Sequence, residues 1–82
     1  ENNFPNPFNP ETVINDSIST PQKVKLTIHN LLGREVDVLV DKQMTAGDFS
    51  VIWAPKNMSS GAYFARLQVG EMTQTLNMIY LK

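Results

Sequence analysis

The side chains best suited to chemistry are one histidine, His29, and three aspartates, Asp37, Asp41 and Asp48. A Ser-His-Asp triad would need His29 as its general base, because the chain has no other histidine. His29 falls on the polar side of an alternating run, Lys23–His29, which indicates a solvent-facing strand residue instead. No Gly-x-Ser-x-Gly segment is present to display a serine nucleophile.

Metal and cofactor chemistry has equally little support in the sequence. Zinc requires several converging ligands, and the chain offers one histidine and no cysteine. The three aspartates lack the dense spacing of an EF-hand loop, so solvated loop carboxylates are the simpler interpretation and a loop-bound calcium is the alternative. We therefore predict no catalytic residue, no cofactor site and no metal site.

The aromatic side chains could form a surface on which a sugar ring stacks. Phe49 and Trp53 share one side of a predicted strand, and Tyr63 lies on the apolar side of another, which favours core positions for all three. Phe64 is the exception, because it falls on the opposite side of its strand. One such aromatic is weak support for sugar binding, so we favour packing in the core or beneath a loop.

Composition and charge narrow the classes of partner. A chain of 82 residues makes one domain, predicted over 1–82. The net charge is −1, from seven basic and eight acidic side chains, which argues against binding to nucleic acid or an anionic membrane. No apolar run approaches the roughly 20 residues of a membrane span. Because the chain opens with Glu1, we expect it to be a piece of a longer protein.

The elements that must position these side chains are short strands. In Lys23–His29, apolar and polar residues alternate with period two, as in a strand with one buried face. Similar runs separated by turn residues recur about every 8–12 positions, the pattern of an all-β sandwich. We predict a proline-rich lead-in over 1–11 and an antiparallel two-sheet β-sandwich of about seven strands over 12–82. The lead-in should be held to the sandwich by Phe4 and Phe8.

Strand parity also predicts a core and three turns. Gly33, Gly47 and Gly61 each lie where one run gives way to the next, so we expect positive φ angles there. Asp16 shares the parity of its apolar neighbours, and we interpret its strand as an edge or bulged strand that lets the carboxylate reach water. The predicted core comprises Ile14, Ile18, Val24, Leu26, Ile28, Val51, Trp53, Tyr63 and Leu67.

Four segments together resemble the type A C-terminal sorting domain of the bacterial type IX secretion system. They carry the likeness in order and span nearly the whole chain. The segments are Phe4–Ile14, Ile28–Val36, Ala46–Trp53 and Ser60–Leu67 with the terminal Met78–Lys82. Within them, the residues that match structural motif positions are Pro5, Asn6, Pro7, Phe8, Asn9, Pro10, Gly33 and Gly47.

The resemblance implies an immunoglobulin-like fold, also similar to a domain of flagellar hook-capping proteins. It implies a signal that directs a parent protein across the outer membrane to the cell surface or the medium. The implied partners are the type IX translocon, a sortase-like peptidase and an upstream cargo domain. Three positions depart from the family pattern. Asp16 stands where the family usually has an aromatic or apolar residue, Ala65 stands where it often has an aromatic one, and His29-Asn30 replaces a common Tyr-Asp pair.

Within this interpretation, we expect the translocon to recognise the last hairpin, because reading the terminus would distinguish finished chains. The candidate recognition residues are Gly61, Tyr63, Arg66, Met78 and Lys82. The alternatives are an immunoglobulin-like spacer or carbohydrate-adhesive module of a surface enzyme, and a structural domain for subunit interaction, as in hook-capping proteins. A position at the end of the parent gene would favour sorting over these alternatives.

Overall fold

A computed structural model describes residues 10–82, which form six β-strands and no helix. The predicted all-β class is confirmed, and the expected count of about seven strands is one too high for this part of the chain. The predicted packing of Phe4 and Phe8 lies outside the described residues. The strands are β1 (Thr12–Ile18), β2 (Gln22–Asn30), β3 (Glu35–Met44), β4 (Gly47–Trp53), β5 (Gly61–Val69) and β6 (Met72–Tyr80).

The strands form two antiparallel sheets. One has four strands in the order β3-β2-β5-β6, and the other pairs β1 with β4. In the larger sheet β2 and β5 are the interior strands, with Leu26 opposite Leu67 and Ile28 opposite Ala65. In the smaller sheet Ile14 lies opposite Val51. Apolar side chains from both sheets form one core cluster, as expected of a sandwich.

The core follows the period-two rule on the inner faces. All predicted core residues are buried except Val51, which is partly buried and packs against the cluster. The core also contains four residues that the prediction omitted: Ala65, Leu76, Met78 and Tyr80. Three of these lie in the second half of β6. The first half of that strand, Met72–Thr75, is exposed, so its sequence carries no clear alternation.

The prediction that His29 faces solvent is wrong. Only 6% of its surface is exposed, and Thr27, on the same side of β2, is exposed by 4%. Exposure on this side of β2 increases toward the start of the strand, where Lys23 is exposed. His29 is buried because β2 is an interior strand and Phe64 of the neighbouring β5 stacks on the His29 ring.

The edge-strand interpretation of Asp16 is confirmed. β1 has a hydrogen-bonded neighbour on one side only among residues 10–82, and the Asp16 side chain is half-buried. Its Oδ1 accepts a hydrogen bond of 2.7 Å from the Ser17 backbone N–H. A carboxylate that keeps contact with water and gains a backbone donor avoids the cost of a buried, unpaired charge.

The positive φ angles expected at three glycines are also confirmed, at 82° for Gly33, 134° for Gly47 and 152° for Gly61. At Gly33 no atom lies within 4 Å of the position that a Cβ would take. The requirement for glycine there is therefore one of backbone conformation rather than of space.

Truncating the inner face of β2 should unfold the domain readily. Leu26→Ala and Ile28→Ala each remove a fully buried side chain, so each should lower the free energy of unfolding by about 2–5 kcal/mol. The urea midpoint measures this loss. Leu32→Ala, at a position 92% exposed, is the control and should change stability by less than about 0.5 kcal/mol. Equal midpoints for all three variants would contradict the core assignment.

Candidate functional site

The terminal hairpin, defined as Gly61–Lys82, consists of β5, a turn, β6 and the two residues after β6. The strands are joined by the two-residue turn Gly70-Glu71, with Val69 opposite Met72. Gly70 has φ of 59°, the left-handed conformation that tight hairpin turns require. Its N–H donates to the Lys23 carbonyl at 3.0 Å, which fastens the turn to the start of β2.

The candidate recognition residues divide into buried and exposed groups. Tyr63 and Met78 lie opposite each other and are both buried, so in the folded domain they support the hairpin from inside. Arg66 and Lys82 are exposed, and Gly61, at the start of β5, is half-buried. The two exposed charges are thus the candidates that a partner could touch directly.

Hydrogen bonds anchor the hairpin where β5 begins and β6 ends. The Tyr63 hydroxyl donates to the Ser59 carbonyl at 2.8 Å. The Lys82 backbone N–H donates to the Ser60 hydroxyl at 2.7 Å, and Gly61 pairs with Tyr80. These contacts fix the loop before β5 against the last residues of the chain.

The β2–β3 turn lies at the same end of the large sheet. The Asn30 Oδ1 accepts hydrogen bonds of 3.0 Å from the backbone N–H groups of both Leu32 and Arg34. Its own carbonyl accepts from Gly33 N–H at 2.9 Å. Asparagine suits this position because its side chain imitates a backbone turn. The network holds Leu31 and Leu32 outward, exposed by 75% and 92%.

His29 supports the β2–β3 turn from beneath. Its Nδ1 lies 3.3 Å from the Gly33 carbonyl oxygen and its Nε2 lies 2.9 Å from the Thr27 hydroxyl. A carbonyl can only accept, so Nδ1 donates to Gly33, and Nε2 shares a hydrogen bond with the Thr27 hydroxyl. The Phe64 ring stacks on the imidazole, with centroids 5.2 Å apart and planes 11° apart. Both ring nitrogens are engaged, so His29 is a structural residue here.

The three mid-chain aspartates do not converge. Asp37 Oδ2 accepts a 3.1 Å hydrogen bond from the Nε1–H of the buried Trp53. Asp41 pairs with Lys23 at 3.4 Å, and Asp48 accepts from the Ser17 hydroxyl. Among residues 10–82, no group of three or more His, Cys, Asp or Glu side chains is placed to hold a metal ion.

The aromatic side chains are also engaged inside the domain. Trp53 and Tyr63 are buried and meet edge to face, with centroids 5.5 Å apart. Phe49 is half-buried against the core, and Phe64 packs on His29. Phe49, Trp53 and Tyr63 therefore pack in or against the core, as predicted. A sugar-binding surface would need such rings to be exposed.

The Asn30 network carries a testable consequence. Asn30→Ala removes the acceptor for two backbone N–H groups, so it should lower the free energy of unfolding by about 1–2 kcal/mol. Hydrogen exchange at the Leu32 and Arg34 amides should accelerate selectively. Asn30→Asp keeps an acceptor oxygen at the same position and should retain most of the protection. Unchanged exchange in Asn30→Ala would show that the side chain does not hold the turn.

Comparison with known proteins assigns the chain to a family. No helix in the described part of the chain has the length and apolar character needed to cross a membrane. Comparison with curated proteins and with solved structures gave no significant match. The profile of a family described as "Secretion system C-terminal sorting domain" matches residues 2–81, nearly the whole sequence. The chain therefore belongs to this family of type IX sorting signals, which direct export across the outer membrane to the cell surface or the medium.

Proposed function

We propose that residues 1–82 act as one sorting domain that the type IX translocon recognises in its folded state, through the outer face of the terminal hairpin. In this proposal 1–11 is the lead-in from an upstream cargo domain and 12–82 is the sandwich. A sortase-like peptidase then separates the cargo from the domain. The translocon and peptidase are the partners that the family resemblance implies.

The observation that carries this proposal is the two-sided character of the hairpin. Its inner face supplies core residues, including Leu67, Leu76 and Met78. Its outer face presents exposed polar side chains in register, with Arg66 opposite Thr75 and Gln68 opposite Thr73. Side chains opposite each other in an antiparallel pair lie about 5 Å apart, so they form a continuous surface only when the hairpin is folded.

Recognition of this surface would make export depend on folding. An unfolded hairpin would separate Arg66 from Thr75 and expose the apolar inner residues at the same time. A receptor for the outer face would therefore reject unfolded domains and accept folded ones. The anchoring of Lys82 to Ser60 adds support, because it gives the end of the hairpin a fixed position.

The experiment is export of a reporter that carries a Sec signal peptide and this domain at its C-terminus. In a compatible type IX host, the fusion should reach the cell surface or the medium. A folded fusion that stays in the periplasm, while the host exports its own cargo, would contradict the proposal.

Arg66→Glu tests the hairpin surface within that assay. The substitution reverses an exposed charge on the outer face of an interior strand, so it should leave the melting temperature unchanged. We expect exported reporter to fall about tenfold, the effect of losing roughly 1.4 kcal/mol of contact free energy. Lys42→Glu makes the same charge reversal at an exposed position of β3, in the same sheet but outside the hairpin, and is the matched control. Equal export of both variants and the parent would exclude Arg66 from the recognition surface.

A further inference from the structure

Among residues 10–82, the first half of β6 is a sheet edge without the usual protection against strand addition. Within this part of the chain β6 pairs with β5 only, over an unbroken register from Val69↔Met72 to Gly61↔Tyr80. Its nine residues, Met72–Tyr80, include no charged side chain and no proline. Proteins usually protect an exposed edge with charges, proline or a bulge, because its unpaired N–H and C=O groups otherwise recruit another strand.

The other edges in the described part of the chain carry such protection. β3, at the opposite edge of the same sheet, contains charged residues such as Asp41 and Lys42. Its pairing with β2 is also interrupted by two register shifts. In the smaller sheet, β1 carries Asp16 and β4 carries Asp48. Among the edges in residues 10–82, the first half of β6 is thus the one that lacks such protection.

The accessible part of this edge is the first half of β6, Met72–Thr75. In the second half, Asn77, Ile79 and Tyr80 make further interactions. Met72 and Gln74 share the parity of the buried Leu76, so their side chains belong to the inner side of the sheet. Both are nevertheless exposed, Met72 by 78%. The inner side of the sheet is therefore accessible to solvent along this half-strand.

A groove of about 200 Å³ lies between this half-strand and the end of β1. Buried Ile18 and Leu67 contribute apolar lining, and serine, threonine and glutamine side chains contribute polar lining. Among the described residues, Asp16 is the only charged one that lines the groove. A carboxylate beside an apolar surface favours a ligand that combines apolar side chains with one positive charge.

We propose that the first half of β6 and the adjacent groove accept an extended segment of another protein as an added β-strand, with a basic side chain directed to Asp16. Main-chain hydrogen bonds along an edge supply affinity in this binding mode, and alternate side chains supply specificity. A second copy of β6 fits less well, because the strand contains no lysine or arginine to pair with Asp16. The proposal rests on the proposed function in one respect: it takes the segment to belong to the export machinery.

The binding test uses the isotope-labelled domain and a capped hexapeptide in which valines alternate with polar residues, one of them a central lysine. Nuclear magnetic resonance should show shifts and slower hydrogen exchange at the backbone amides of Met72–Thr75. Asp16→Asn should weaken binding roughly two- to fivefold, as expected for a partly exposed ion pair. The same substitution should not affect a peptide with norleucine in place of lysine.

An edge variant distinguishes strand addition from nonspecific binding of the peptide. Gln74→Lys places a charge on the inner side of the edge, a device that prevents strand pairing, and should abolish binding. Gln43→Lys makes the same substitution at an exposed position of the opposite edge strand β3, so it is the matched control and should bind like the parent. Melting temperatures establish that both variants are folded.

Each outcome decides the inference. Absence of binding at millimolar peptide, or shifts confined to other strands, would overturn it. A dimer that Gln74→Lys dissociates, without peptide binding, would assign the edge to a second copy and also overturn it. If the peptide binds as expected but the parent fusion is not exported, the proposed function fails and the edge site stands. If export requires Arg66 but the peptide does not bind, only the edge inference fails.

Discussion

The pairing of β2 with β5 is the constraint on which the rest of the structure depends. These two strands are interior, so each is hydrogen-bonded to a neighbouring strand on both sides. A shift in register between them would displace Leu26 from Leu67 and Ile28 from Ala65. The β2–β3 turn and the terminal hairpin both extend from this pair. Its inner face fixes the core, and the His29–Phe64 stack joins the same strands on the outer face. The β2–β3 turn and the terminal hairpin therefore both take their positions from one register.

The sequence predicted the inner face of this pair well and the outer face poorly, for a physical reason. Alternation reveals which residues a strand must hide, and it placed Val24, Leu26 and Ile28 correctly. It does not reveal what a neighbouring strand will lay over the other face, so His29 was assigned to solvent although Phe64 covers it. In β6 the prediction missed residues of the inner face instead. The first half of this strand leaves the inner side accessible to solvent, and polar residues there conceal the parity that Leu76 and Met78 follow.

The candidate site was predictable to a similar extent. The tight turn at Gly70-Glu71, which joins β5 to β6, is one that a glycine-containing pair between two strand-like runs predicts. The Asn30 network, the hydrogen bonds of His29 and the Trp53–Asp37 bond could not be predicted, because side-chain hydrogen bonds depend on distances that spacing does not specify. Tyr63 and Met78 illustrate the same gap: the prediction grouped them with exposed Arg66, and only the packing distinguishes inward from outward side chains.

The burial of Trp53 provides an optical signal for the state of the domain. It is the only tryptophan in the chain, it is 1% exposed, and its ring N–H is bonded to Asp37 across the sandwich. Tryptophan emission moves to longer wavelength when water reaches the indole, and soluble quenchers then gain access to it. Separation of the sheets would produce both effects at once. In a fusion whose cargo lacks tryptophan, intrinsic fluorescence would report whether this domain is folded, without any added dye.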